Sequence, residues 1–350
     1  MAVKPSSPAI NISEIDKTAI VPAVGSSGGG FVGNFRWGPV HQRTLIADET
    51  GLVSTFAAPD DANSVDFHSA AYFLKYSQTL QVVRENNGGS NAHSALVPLT
   101  SDSATVNNLS HWTNTVSSAV GEGGSKISTG TWIAKYPGEL GNALTVSFCP
   151  ADSAFDHFNK QTDGSGHVNG WAYAGQFDGK PGTSAYALAN GGTNDEVHVA
   201  VIDRTGAISG TPGSVLEKFE YLSVAKGATT SDNSPNYISD VLNGQSQYIW
   251  NGYFGDDSAF GSSYSNVGAT WGSATNVASP VEYGVGDGTA LPDAVRSVNL
   301  GSGDESAALG NTEFGLGYDL FEDKLQTEID FLIAPQHGSA GDGATVVNDL

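Results

Sequence analysis

The segment "GFVGNFRWGPVHQ", Gly30–Gln42, decides how this chain is read. Phe31, Val32 and Phe35 have the bulk a strand prefers, and Gly33 lets a second backbone come close. The stretch from Phe31 to Phe35 therefore reads as a short strand entering a packed sheet. Trp37-Gly38-Pro39 ends it, because Pro has no N–H to give to a ladder, and a polar loop follows. Nothing in the stretch is a nucleophile, a metal ligand or a phosphate loop, so taken alone it is architecture.

Working outward, the order from Phe31 to Glu85 is strand, loop, helix, strand. Ser64 is placed to cap a helix in which Phe67, Ala70, Ala71 and Leu74 fall at i, i+3, i+4 and i+7. Val65, Tyr72 and Tyr76 form a second stripe, which predicts a helix covered on both sides. Leu80, Val82 and Val83 make the next strand, and a β-α-β order implies a parallel pair. From about Asn86 to Ser306 the texture turns Gly-, Ser-, Asn- and Thr-rich, with apolar runs such as Leu144 to Phe148 and Val197 to Ile202. "DRTGAIS" after the second run is a turn signal, and one helix is predicted at Tyr237 to Leu242. Helical periodicity returns with Phe314, Tyr318, Phe321 and Leu325 on one face, followed at once by the strand "IDFLIAP".

The predicted fold is thus a discontinuous α/β core domain, residues 23–85 plus 307–350, with a large β-rich, outward-facing insertion of residues 86–306; overall it is multi-domain α+β. Residues 1–22 read as an extended arm whose Ile10, Ile12, Ile15 and Ile20 have no local partner and need a sheet edge, the chain's own or a neighbour's. The Gly/Ser stretch Gly25 to Gly30 reads as a hinge. "GDGATVVNDL" reads as the first turns of a helix without a Gly cap or a basic last turn, so the chain is expected to be the N-terminal part of a longer protein.

Composition narrows the function classes. The 350 residues, 39 % apolar and 9 % aromatic, suffice for a normal core in roughly two to three domains. Acidic residues number 37 against 15 Lys plus Arg, and a net charge of −22 argues against attraction to nucleic acid or to an anionic membrane surface. No apolar run approaches the ~20 residues that cross a bilayer, and the N-terminus has no apolar signal core, which predicts a chain made in a cytoplasm. The single cysteine, Cys149, excludes an intrachain disulfide and has no base beside it, so it reads as a small buried apolar residue.

Chemistry-bearing motifs are weak. "GVGDGT" and "GSGDES" lack the Lys-Ser/Thr of a phosphate cradle, and "GSSGG" at Gly25 lacks the strand that a nucleophile elbow requires. The eight histidines show no metal spacing and default to surface or loop roles. "DGSGHVNG" has too few carboxylates for an EF-hand loop. Asp256, Asp257, Glu322 and Asp323 read as solvated faces. No catalytic residue, cofactor or metal site is predicted.

The architectural stretches carry the signal. "GGFVGNFRWGPVHQRTLIADETGLVSTFAAP" followed by "DFHSAAYFLKYSQTLQVVRE" resembles the N-terminal half of the tail sheath proteins of contractile-tailed bacteriophages: a strand ending in Trp-Gly-Pro, a helical segment, an aromatic-rich helix and a strand ending in Val-Val-Arg. "AKYPGELGNALTVSF" is similar to that family's Tyr-Pro-Gly-Glu segment. "EKFEYLSVAKGATTSDNSPNYISDVLNGQSQYIW" and "VNLGSGDES" with "YDLFEDKLQTEIDFLIAP" are similar to later blocks. Ala57 stands where the family has Gly, and the segment between Val83 and Ala134 is too short for the outermost domain of the larger sheath proteins.

The resemblance implies a structural, non-enzymatic virion subunit that assembles in the host cytoplasm, polymerises as helical rings around a tail tube, meets baseplate and terminator proteins, and contracts to drive the tube through the host envelope. It implies neither direct nucleic-acid contact nor membrane insertion. On this reading the arm residues Ile10, Ile12, Ile15 and Ile20 are subunit contacts, and Trp37, Gly38, Pro39, Arg84, Tyr136, Pro137, Gly138 and Glu139 are structural motif residues. The alternatives are the sheath of a related contractile injection system, of bacteriocin or secretion type, and a β-rich carbohydrate-binding protein.

Overall fold

The computed structural model describes residues 28–94, 105–116, 132–149, 155, 171–190, 195–225, 227–251, 296–323 and 329–334. Ile10, Ile12, Ile15 and Ile20 and the helix expected at "GDGATVVNDL" lie outside the described residues.

Four strands form the first sheet: β1 (Gly29–Gly33), β2 (Arg43–Ile46), β3 (Leu80–Arg84) and, from the far end of the chain, β11 (Phe331–Ile333), in the order β11-β1-β3-β2. β1 lies parallel to both β3 and β11, with Phe31 opposite Val82 and Ile333, and β2 closes the other edge antiparallel to β3. The strand expected at Phe31–Phe35 begins two residues earlier and ends at Gly33, and β2 is an element the apolar pattern does not announce. Helices α1 (Glu49–Phe56) and α2 (Ser64–Leu74) send Leu52, Phe56, Phe67, Ala70, Ala71 and Leu74 into a core with Phe31, Phe35, Leu80 and Val82. On the opposite face Phe314, Tyr318 and Phe321 pack on Val32 and Val83. A strand pair buried on both faces reads as an unbroken apolar run, which is what "FV" and "VV" are.

Two expectations about α2 are corrected. Its N-cap is Asn63, not Ser64; the Asn63 side chain is turned back to accept from the Asp60 N–H at 3.0 Å, while its carbonyl starts the helix. The second stripe is not covered: Val65, Tyr72 and Tyr76 are 59 %, 61 % and 93 % exposed, because α2 has the sheet on one side only.

The second sheet has seven strands, β4 (His93–Ser94), β5 (Trp132–Ala134), β6 (Leu144–Cys149), β7 (Glu196–Asp203), β8 (Ser214–Ser223), β9 (Ile249–Asn251) and β10 (Arg296–Gly301), ordered β8-β7-β6-β10-β4-β5-β9 and antiparallel throughout. Side chains alternate across it. Leu144, Val146 and Phe148 with Val197, Val199 and Val201 face a core closed by Ile238, Val241 and Leu242 of a later helix (Ile238–Gln245). Cys149, Ala200 and Ile202 face Trp171, Ala174 and Phe177. On that face Ser147 Oγ takes the Trp171 indole N–H at 2.8 Å.

His198 departs from the surface role expected of the histidines. It is fully buried, with Phe177 stacked on it at 4.9 Å between ring centroids and Tyr221 edge-on at 4.7 Å. Its Nε2 donates to the Gly179 carbonyl and its Nδ1 accepts from the Tyr221 N–H, a network that assigns the neutral ring; burial pulls its pKa down.

The two connections between the sheets run side by side. Ser90 and Asp304 form an antiparallel bridge, and Asn87 N donates to Ser306 Oγ at 2.8 Å while Ala307 N donates to the Asn87 carbonyl at 3.0 Å.

Candidate functional site

The structure draws together most of what the sequence singled out, at the joint between the two sheets. Past β1 the chain crosses toward the second sheet, and Trp37 is buried in that sheet's core, edge-on to Tyr136 with ring centroids 5.4 Å apart. Trp-Gly-Pro is therefore more than the bend by which the chain leaves the first sheet, since its Trp belongs to the packing of the second.

Gly38 follows with φ +99°, and a Cβ there would lie 2.6 Å from a Phe56 ring carbon and 2.9 Å from the Thr55 carbonyl. Gly138 has φ +132°, and its Cβ would lie 2.9 Å from the Arg36 carbonyl. Both positions need glycine for conformation and for close approach.

Arg84, the last residue of β3, is the link. Its side chain is fully buried; Nη1 donates to the Gly38 carbonyl at 2.9 Å and Nη2 to the Pro137 carbonyl at 2.7 Å. One planar guanidinium thus holds carbonyls from two distant segments in a fixed geometry, which a point-charge ammonium cannot reproduce. Burial pulls the Arg84 pKa down to about 10, with the Glu305 and Tyr136 charges acting the other way, so the group stays charged at neutral pH. Among the described residues its Nε finds no hydrogen-bond partner. Glu305 is pushed upward by burial against the opposing pull of Arg84, and its carboxylate accepts from the Glu139 N–H at 3.2 Å. Tyr136 is raised by burial, with Arg84 opposing.

Pro39 lines a groove together with Trp37 and Tyr136, and Glu139 gives its backbone N–H to the joint while its side chain is exposed. The next turn adds Val40, whose N–H donates to the Asn107 carbonyl and whose own carbonyl accepts from Asn108 Nδ2 at 2.7 Å. Trp37, Gly38, Pro39, Arg84, Tyr136, Pro137, Gly138 and Glu139 therefore meet in one place. The four arm isoleucines lie outside the described residues.

Sequence reasoning missed Glu305, Asn108 and Lys135. "GSGDES" does not cradle an anion: Asn142 brackets the backbone of Gly303, donating to its carbonyl at 2.9 Å and accepting from its N–H at 2.8 Å, and this sets Glu305 toward Arg84. The legible signal was an acid two residues past a Gly-x-Gly turn in a chain with few bases. Lys135 is flagged only by sitting between "WIA" and "YPG". Among the described residues there is no group of three or more His, Cys, Asp or Glu able to hold a metal, and no helix long and apolar enough to cross a membrane. Chemically the site is a joint: it fixes two sheets through buried polar bonds.

No protein-family model matches the chain. It is 30 % identical over 212 residues to the tail sheath protein of Salmonella phage ViI, an alignment covering 58 % of this chain and 26 % of that protein. It is 35 % identical over 78 residues to the tail sheath protein of Vibrio phage KVP40, covering 22 % of this chain and 12 % of that protein. It is 35 % identical over 80 residues to the tail sheath protein of Enterobacteria phage T4, covering 22 % and 12 %. Among solved structures, the sheath tail protein of Listeria innocua aligns with a TM-score of 0.41 at 10 % identity, over 93 % of this chain and 44 % of that one. The sheath tail protein of Desulfitobacterium hafniense aligns with a TM-score of 0.40 at 14 % identity, over 98 % and 48 %. By sequence the chain is a relative of bacteriophage tail sheath proteins, and it spans about a quarter or less of the length of the curated relatives it matches.

Proposed function

We propose that this chain is part of a structural subunit of a contractile phage tail sheath, which polymerises around the tail tube and contracts to drive the tube through the host envelope. The observation that carries the reading is the sequence match to tail sheath proteins of three phages. On this reading no substrate is turned over and no cofactor is used. The partners are further copies of the chain, a tail tube protein, and baseplate and terminator proteins; assembly takes place in the host cytoplasm and the product belongs to the virion. Contraction would draw on interfaces that improve between two packed states, each subunit contributing a few kcal/mol.

Within that subunit, residues 23–85 plus 307–350 form a discontinuous core domain and residues 86–306 an outward-facing insertion. Support comes from the pairing of β1 with β11 in one sheet, and from a second sheet built wholly between His93 and Gly301. The segments Asn87–Ser90 and Asp304–Ala307 run side by side, and on this reading the insertion leaves and returns there. Trp37, Gly38, Pro39, Arg84 and Tyr136 to Glu139 act as the rigid joint that lets the insertion move with the core. The arm, through Ile10, Ile12, Ile15 and Ile20, adds a strand to a neighbouring subunit.

Expression of the full-length gene product, viewed by negative-stain electron microscopy, tests the reading. Tubes or stacked rings are expected. A product that stays dispersed at every concentration, or that binds glycans on an array, would overturn it.

A further inference from the structure

The segment 171–182 lies on one face of the second sheet, with a single short helical turn at Ala174–Gln176 and Trp171 and Phe177 packed on Cys149, Ala200 and Ile202. Polar bonds tie it down. Trp171 Nε1 donates to Ser147 Oγ, Lys218 Nζ to the Gln176 carbonyl, the Gly182 N–H to Glu196 Oε2, and His198 Nε2 to the Gly179 carbonyl. Of the side chains that hold it, His198 alone is both titratable and fully buried.

His198 grips two segments at once. Val197 pairs with Leu222 and Val199 with Phe219, so Glu220 and Tyr221 together face His198 across a bulge. Tyr221 sits there at φ 52°, a left-handed conformation that is strained for a bulky residue, and its N–H donates to His198 Nδ1 at 3.0 Å. The other ring nitrogen gives its proton to the Gly179 carbonyl at 2.9 Å. A neutral imidazole has one donor and one acceptor, and both are in use. A second proton goes on Nδ1, where it meets the Tyr221 N–H donor to donor, on a ring stacked against Phe177 and Trp171 and shut off from water.

We propose that His198 is the latch of an acid-sensitive flap: protonation of its ring releases residues 171–182 from the second sheet while the sheet itself stays folded. This latch stands apart from the sheath reading. Burial pulls the His198 pKa below its ordinary value of about 6.5, outweighing the bonds to Gly179 and Val197 and the charge of Glu220. A base with a depressed folded pKa adds stability above its unfolded value and loses it as pH falls through the folded one.

The neighbouring groups do not supply the same response. Glu196 is raised by burial, so acid relieves its penalty and tightens the flap. Asp195 is engaged by Ser184 and Ser223. Asp178 and Lys180 of the flap are exposed, and Lys218 pairs with Glu220. Burial raises the Tyr173 and Tyr221 phenols, and the Cys149 thiol lies opposite His198 on β6. The sheet beneath has support of its own, since β6 and β7 pair along Leu144–Cys149 and their other face is packed by Ile238, Val241 and Leu242. Opening is therefore local.

Amide hydrogen exchange from about pH 7.5 down to about pH 5, corrected for its intrinsic pH dependence, tests the latch. Exchange in 171–182 is expected to rise by up to about tenfold per pH unit below about pH 6.5, as one coupled proton requires, while β6 and β7 stay protected. His198→Gln, which takes no proton in this range, should flatten that slope. An NMR titration of labelled imidazoles in the wild type should show His198 protonating below about 6.5, a measurement that stands even where the variant does not fold. Flap exchange that ignores pH, an equal slope in His198→Gln, or sheet amides that open together with the flap would overturn the proposal. So would a His198 ring that takes up its proton at or above about 6.5.

Discussion

Arg84 and Ala57 show how much of this protein's stability is held by single positions. Replacing Arg84 by Ala would leave the Gly38 and Pro137 carbonyls buried without donors and remove the charge that faces Glu305, a combination that costs about 3–5 kcal/mol. Arg84→Lys should recover only part of this, because an ammonium does not span both carbonyls as the fork does. Urea unfolding checks the pair, and a lysine variant as stable as wild type would mean the bidentate geometry is unimportant. Ala57 ends α1 at φ 64°, ψ 171°, a region that is essentially glycine's and costs any other residue roughly 1–3 kcal/mol. Ala57→Gly gives up part of a methyl contact and some chain entropy, so the expected net gain is about 1 kcal/mol. A lower denaturation midpoint for Ala57→Gly would refute the strain argument.

Between neighbouring elements, the turn joining β7 to β8 depends on one carboxylate. Asp203 accepts from the N–H groups of Gly206, Ile208 and Ser209 and from the Ser209 hydroxyl, at 2.7–2.9 Å. Burial pushes this carboxyl upward, but the bonds from Ser209, Ile208 and Gly206 outweigh it and hold the pKa below the ordinary value. A group whose folded pKa is depressed adds stability above its unfolded pKa, about 3.9, and loses it as pH falls through the folded value. Asp203→Asn should therefore lose about 1–3 kcal/mol at pH 7 and flatten the stability profile below about pH 4. Thermal melts across that range measure it, and an unchanged acid limb would show that the turn is held by other bonds. "DRTGAIS" announced this turn because Asp and Gly have local reasons to be there. The outer face of α2 illustrates the opposite case: the spacing of Val65, Tyr72 and Tyr76 marks a helix, but nothing local says whether a second layer lies over it, and they are exposed.

At the scale of the whole molecule, the arm is the piece to which the proposed reading gives a role that depends on other copies. Deleting residues 1–21 from the full-length gene product is expected to abolish tube formation while leaving the melting transition unchanged, since Ile10, Ile12 and Ile15 have no partners near them in sequence. Tubes of normal length from the deleted protein would show the arm to be dispensable.

By itself the sequence determined the local elements. Apolar spacing marked β1, α2, β3, β6 and β7, because the period of buried positions along a helix or strand is a property of adjacent residues. The resemblance to tail sheath sequences, not spacing, marked the motifs that turn out to meet. What only the tertiary structure decided is how they meet: that Trp37 enters the core of the second sheet, that the Arg84 fork closes on Gly38 and Pro137, and that Glu305 and Lys135 matter at all. Those facts are set by contacts between segments far apart in the chain. Backbone carbonyls, present at every residue, leave no trace in composition or period to say which of them a buried cation will reach.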